Sequence, residues 1–423
     1  MKRKNRKLFS DSIYATSFVV GLLYLLSFIP LDFEILNPIE NVIGDFRLTD
    51  LVFSHMRENP KEEERITIVN IGGSRAEIAA QLEIINKYEP KVVGIDAFFR
   101  LPKDPIGDSL LAEALAGTKN LVLVSELIED KEEDLVVDHL KSHPMFLKNA
   151  HLGFADMITE GDDNFKTSRE FSPYENFGDK EIPFFAVKVA ELYDPMAIEK
   201  LHSRGNDVEV INYQGNIDTR KGVSSNAKTV FTALDLDDLF EERFVPEVFK
   251  DKIVLMGYLG NYIGHNTWED KFFTPLNQNY IGKANPDMYG VVIHANIISM
   301  ILQGEYINDM PDWLNWLLGI IVVYINVWFC CFTFLRMKEL YEGVVLVVAF
   351  AQILPLLYLV LRVFEHFHYT FNITFPIIAI VLAGNLVEVY YGILKVIYNR
   401  IERKIDKKYI HLQKNKKPHV YEN

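Results

Sequence analysis

Four apolar runs constrain this chain more than any other feature. A helix needs about 20 predominantly apolar residues to cross the hydrocarbon core of a bilayer. Runs of that kind lie at Ile13–Pro30, near Trp313–Leu335, at Val344–Leu361 and at Phe371–Leu394. The first follows a basic stretch, as the apolar part of a leader peptide does. It is longer than the usual run of about 7–15 residues, and no A-x-A-like cleavage site follows, so it reads as an uncleaved anchor. Trp313, Trp316, Tyr390 and Tyr391 stand near run ends, where interfacial aromatics collect.

Charge sets the expected orientation. Residues 1–12 hold five basic side chains and one acid, and residues 395–423 hold nine basic and three acidic ones. Residues 31–312 hold 27 basic and 50 acidic ones, a net of −23. Basic flanks stay in the cytoplasm, so the expected domains are a cytoplasmic N-terminus (1–12), an anchor (13–30), an extracytoplasmic domain (31–312), three spans (313–394) and a cytoplasmic tail (395–423). The loop Arg336–Glu342 falls inside and Arg362–Thr370 outside. A multi-pass membrane protein with both termini in the cytoplasm is the implied setting, with the lipid bilayer as one partner. The acidic middle argues against nucleic acid, which needs a basic face. The two cysteines, Cys330 and Cys331, are adjacent within an apolar run and read as packing.

Residues ~45–305 read as one α/β domain with a mostly parallel, doubly wound sheet. "RITIVNI" (65–71), "KVVGIDAFF" (91–99) and "NLVLVSEL" (120–127) are predicted strands. Between them lie a helix after "IGGSR", with Ser74 and Glu77 spaced as a capping box, and the helix "SLLAEALAG" (109–117). Further on come a short strand "GFADM" (153–157), helix "FFAVKVAELY" (184–193), strand "VEVINY" (208–213), short helix "DLDDLF" (235–240), strand "DKIVLMGY" (251–258) and helix "GVVIHANIISMILQG" (290–304).

Few motifs carry chemistry. "IGGSR" lies between strand and helix, where glycine-rich turns can hold phosphate, but it matches neither G-x-G-x-x-G nor G-K-[ST] and reads as a tight turn with an N-cap. Asp96 ends a central strand, where open α/β sheets place their ligand crevice. It either caps the next loop and pairs with Arg100, or belongs to a site that Asp108, Asp270 and His294 approach. His265, Asp270 and His294 lack H-x-x-x-H and H-x-x-E-H spacing and have no cysteine nearby, so neither a metal nor a cofactor is expected. No G-x-S-x-G elbow occurs. Within the spans the polar residues are Asn326, Gln352, Asn385 and Glu388, and interhelical hydrogen bonding accounts for them most simply.

The order of one anchor, "P-KVVGIDAFF", "D-SLLAEAL", "KDKIVLMGYLG", "D-KFFTP", "GVVIHANIISMIL" and three closing spans resembles the CHASE type-two family of bacterial extracytoplasmic sensory domains, over about residues 40–394. The resemblance implies a ligand-sensing domain whose closing helices lead to a cyclase or kinase. It marks Asp96, Asp108, Gly257, Asp270, Thr274, Pro275, Gly290, His294, Ala295 and Asn296 as recurrent positions. With Arg100 and His265 added from the residues themselves, the candidate ligand-binding set is Asp96, Arg100, Asp108, His265, Asp270, Thr274, His294 and Asn296. Two departures stand out. Asn70 replaces an acid that the family often has after the first strand, and only 29 residues follow the last span, too few for a cyclase or kinase.

The expectation is a non-enzymatic membrane sensor or receptor-like subunit. Its extracytoplasmic domain binds a ligand or protein, and a separate membrane or cytoplasmic partner gives the output. A structural docking subunit of an envelope complex is the alternative, and a transport role resting on Glu388 a further one. The tail is expected to continue the last span as a helix, with Val396, Ile397, Ile401, Ile405 and Ile410 at near-helical spacing; the alternative is a plain basic anchor with disorder after Leu412.

Overall fold

In the computed structural model, residues 2–26, 49–57, 61–130, 135–160, 167–218, 229–277 and 285–414 are described. They fall into an α/β unit, within residues 49–308 together with Phe364–His368, and a helical unit holding the rest.

The α/β unit is built on one sheet. Its strands are β1 (Ile66–Asn70), β2 (Val92–Ile95), β3 (Leu121–Asp130), β4 (Leu135–Leu140), β5 (Ala150–Phe154), β6 (Asn216–Ile217), β7 (Thr229–Leu234) and β8 (Ile253–Gly257). The order is β6-β7-β1-β8-β2-β3-β4, with β5 also paired to β3. Every pairing is parallel except β3 with β4. The central strands are buried along their whole length, as apolar runs without alternation require in a parallel sheet covered on both faces.

Four helices cover the two faces of this sheet. Helix α1 (Arg75–Lys87) opens on the expected capping box, with Ser74 and Glu77 exchanging hydrogen bonds, and buries Ile78, Leu82 and Ile85. Each fully buried aliphatic side chain contributes about 1.5–3 kcal/mol. Helix α2 (Pro105–Gly117) starts four residues before the expected position. Asp104 caps it by accepting from the Gly107 amide, and Pro105 takes the first turn, where no amide is needed. Both helices pack on Val69, Val93, Ile95, Leu121 and Leu123.

On the opposite face, α3 (Phe185–Tyr193) and α4 (Gly290–Gln303) come close to the strands. Two glycines allow this. A Cβ on Gly94 would stand 2.9 Å from the Phe185 ring, and one on Gly257 would stand 2.5 Å from Val291 Cβ. Any larger residue would lift the helices off the sheet.

Several expected boundaries shift. "GFADM" is not the strand; β5 lies upstream and ends at Phe154. "VEVINY" contributes only Glu209–Val210 to pairing. Strand β7, carrying only short apolar stretches, was not anticipated.

Among the described residues of the helical unit, four helices are long and apolar enough to cross a membrane, with spans at Leu8–Leu25, Asp312–Arg336, Lys338–Phe367 and Thr374–Ile405. The expected end of the first anchor, residues 27–30, lies outside the described residues. Ala15, Val19, Val323, Val327, Cys330, Cys331, Ala379 and Ala383 form the shared interior. Small side chains there let the helices approach, as membrane packing requires. Tyr390 packs into this interior. The helix Tyr341–Phe367 runs through Arg362, which had been expected in a loop. Asp11, buried at the start of the first span, meets Lys395 in an ion pair.

Beyond the last span the chain stays helical through Lys414, as the continuing helix expected for the tail requires and unlike the alternative of disorder after Leu412. Its residues Val396, Ile397, Ile401 and Ile405 are exposed.

Candidate functional site

Parallel strands all present the same end to one edge of the sheet. At the carboxyl edge, Asp96 follows β2, Glu126 follows the parallel-paired part of β3, and Asp156 stands two residues past β5. The three acids therefore come together although they lie 30 residues apart in sequence. They line a cavity of about 240 Å³ with Phe98, Arg100, Met157, Asp270, Phe272, Gly290 and His294.

Asp96 leaves the sheet by donating its amide to Met256 O at 2.8 Å. Its carboxylate makes no hydrogen bond to any described residue, and its side chain is 18% exposed. Burial and the charge of Asp270 push it up to about 7. His294 is 1% exposed and packs against the rings of Phe184 and Phe185, with centroids 5.2 and 4.9 Å away. Its Nε2 lies 3.9 Å from Asp96 Oδ2, beyond hydrogen-bond reach, and its Nδ1 has no partner among the described residues. Burial pushes the imidazole down to about 3, so it is neutral at physiological pH.

Asp270 sits on the rim, at a φ of 54° that Asp tolerates better than most residues. Burial and Glu269 push its carboxyl up to about 6.

The expected pairing of Asp96 with Arg100 is not formed. Arg100 bonds to Glu126 and lies over the Phe98 ring, 4.6 Å from its centroid. Strand β2 ends at Ile95, and Arg100 has turned toward β3 by the time it clears the sheet.

Four of the eight candidates, Asp96, Arg100, Asp270 and His294, meet in the cavity, and four do not. Asp108 does not approach it. On α2 it forms a buried ion pair with Arg75 of α1 and accepts the Lys103 amide at 2.9 Å. Burial opposes its charge, but the Arg75 guanidinium outweighs this and holds the carboxyl below the usual range. Thr274 donates its hydroxyl to Asp287 at 2.6 Å and stiffens the segment after the rim. Asn296 clamps the chain at 214–215, accepting from Gln214 N at 2.8 Å and donating to Gly215 O at 2.9 Å. His265 packs beside Tyr262, with ring centroids 5.4 Å apart, in the loop before the rim.

Glu126 and Asp156 were not anticipated. The available signal was an acid directly after an apolar strand, the same one that singled out Asp96. Reading residues 153–157 as a strand concealed it at Asp156.

Asn70 is also accounted for. It is fully buried, donates to Asp235 Oδ1 and Gly260 O, both at 2.9 Å, and accepts the Leu259 amide at 2.9 Å. With the Asp235 carboxylate opposite, an amide serves where a second acid would be repelled.

In the spans, Asn326 donates to Gln352 at 2.7 Å across two helices. Asn385 and Glu388 are exposed, and Glu388 lines a cavity of about 760 Å³ with Lys338, Tyr341 and Glu342 among others. Among the described residues, no group of three or more His, Cys, Asp or Glu side chains is arranged to hold a metal ion.

A family model described as the CHASE2 domain matches residues 19–335, more than half of the chain. Neither the curated proteins nor the solved structures searched gave a match.

Proposed function

From the premise that the chain belongs to the CHASE2 domain family of extracellular sensory domains, and so is a membrane protein with an extracellular domain, we propose that it is a non-enzymatic sensor of the bacterial inner membrane. The α/β unit, with a doubly wound sheet, faces outward, and the helical unit spans the bilayer as one helix followed by three. Both termini face the cytoplasm, which agrees with their basic composition. The ligand enters the cavity at the carboxyl edge of the sheet.

One observation carries this reading. Two polar side chains, Asp96 and His294, face each other across that cavity with neither hydrogen-bonded to a described residue. Buried polar groups are normally satisfied, and such exceptions mark places where a partner arrives from outside.

The signal passes to a partner that reads the helix Lys395–Lys414, whose exposed apolar stripe is flanked by basic residues. Complementation of a deletion strain tests both ends. Substituting the pocket with Asp96→Leu, or deleting Arg403–Asn423, is expected to preserve membrane insertion and abolish the response. Full complementation by both variants refutes the reading.

A further inference from the structure

Resting on the reading of the cavity as a ligand site, its chemistry narrows what the ligand is. Four carboxylates line it, from Asp96, Glu126, Asp156 and Asp270, against one guanidinium, Arg100. Arg100 is already bound to Glu126, and one Asp156 oxygen accepts the Leu127 amide at 2.9 Å. His294 contributes no positive charge. An anion therefore meets net repulsion here. The N-terminus of α4 does not rescue it, because a Cβ on Gly290 would already stand 3.4 Å from Asp270 Oδ1.

A metal ion fits no better. The acids line the cavity from different strand ends and do not converge on one point. What remains is an organic cation. The neutral imidazole has one nitrogen that accepts a hydrogen bond, and Asp96 and Asp270 add carboxylate acceptors. A protonated primary amine has three N–H donors on one atom. Phe98, Met157 and Phe272 supply an apolar wall for a short carbon chain. His294 Nδ1, buried without a partner among the described residues, is the second sign of a missing partner, since a buried polar atom without a hydrogen bond is costly.

We infer that this cavity binds a small primary alkylammonium, with its nitrogen held between Asp96 and His294, the Asp270 carboxylate adding negative charge at the rim, and its carbon chain against Phe98, Met157 and Phe272. The ammonium competes with the proton that Asp96 takes up at lower pH.

The test uses the full-length protein in lipid nanodiscs in amine-free phosphate buffer at pH 7.5. n-Butylammonium, n-butanol, butyrate and magnesium are compared by isothermal titration and thermal melting. n-Butylammonium alone is expected to bind and raise the melting temperature. Asp96→Asn should weaken it by roughly tenfold or more, and lowering the pH to 5.5 should weaken it similarly. Asp270→Asn serves as a second variant if Asp96→Asn does not fold. Failure of n-butylammonium to bind at millimolar concentration overturns the assignment, as does unchanged binding in the pocket variants. Asp96-dependent binding of butyrate or magnesium also overturns it while leaving the sensor reading standing. If instead n-butylammonium binds as described but Asp96→Leu still complements a deletion strain, the ammonium assignment stands and the sensor reading falls.

Discussion

His294 Nε2 stands 3.9 Å from Asp96 Oδ2, and burial moves the two groups in opposite directions: the imidazole sheds its proton and the carboxyl keeps one. The imidazole is thus neutral while the carboxyl titrates near neutral pH, so the charge of the pair is set by Asp96 alone. Its consequences can be measured.

Asp96 should lower stability as pH rises. Its folded pKa of about 7 is above the ordinary 3.8, so its contribution is full below 3.8 and is lost as pH rises through 7. Asp96→Asn removes the buried charge and should stabilise the α/β unit by about 1–3 kcal/mol at pH 8, with little effect at pH 4. Melting of the full-length protein across this range checks it. A loss of stability at pH 8 would restore the turn-capping role first expected for Asp96.

His294 works in the other direction. Its depressed pKa gives a contribution present above 6.5 and lost as pH falls toward about 3. His294→Gln should therefore flatten the acid limb of the stability profile while leaving the limb above pH 7 to Asp96. Overlapping profiles for the variant and the parent would contradict the buried, neutral imidazole.

Asn70→Asp places a second carboxylate against Asp235 and discards two donated hydrogen bonds. The expected cost is about 3 kcal/mol, since an unsatisfied buried group costs about 1–3 kcal/mol and more when charged. Denaturant titration reads it, and a neutral outcome would mean that Asp235 rearranges.

Asn326→Leu removes the bond to Gln352 and should destabilise the helical unit by about 1 kcal/mol, the usual scale of an interhelical hydrogen bond in lipid. A double-mutant cycle with Gln352→Leu isolates the coupling. Coupling near zero would assign the two amides to separate roles.

Orientation is open to a labelling experiment. Cys330 and Cys331 are buried, so background is low. Glu241→Cys should react with an impermeant maleimide on cells with a permeabilised outer envelope, whereas Lys404→Cys should react only after lysis. Equal labelling of both positions rejects the proposed topology.

Much of this protein was legible in its residues because the deciding forces are local. Apolar runs must be helical in lipid, since no water satisfies their amides. Ser74 with Glu77 announced α1, and the unbroken apolar runs of β1, β2 and β8 announced a buried parallel sheet. The site was only half legible. Asp96 and His294 were visible as an acid at a strand end and a histidine on an apolar helix. That they face each other depends on Gly94 and Gly257 letting α3 and α4 close on the sheet. Tertiary structure alone decided that Arg100 answers Glu126 rather than Asp96, and that Asp108 answers Arg75. The choice among several carboxylates for one guanidinium is made by which strand ends lie side by side, and strand order is a property of the folded sheet, not of spacing along the chain.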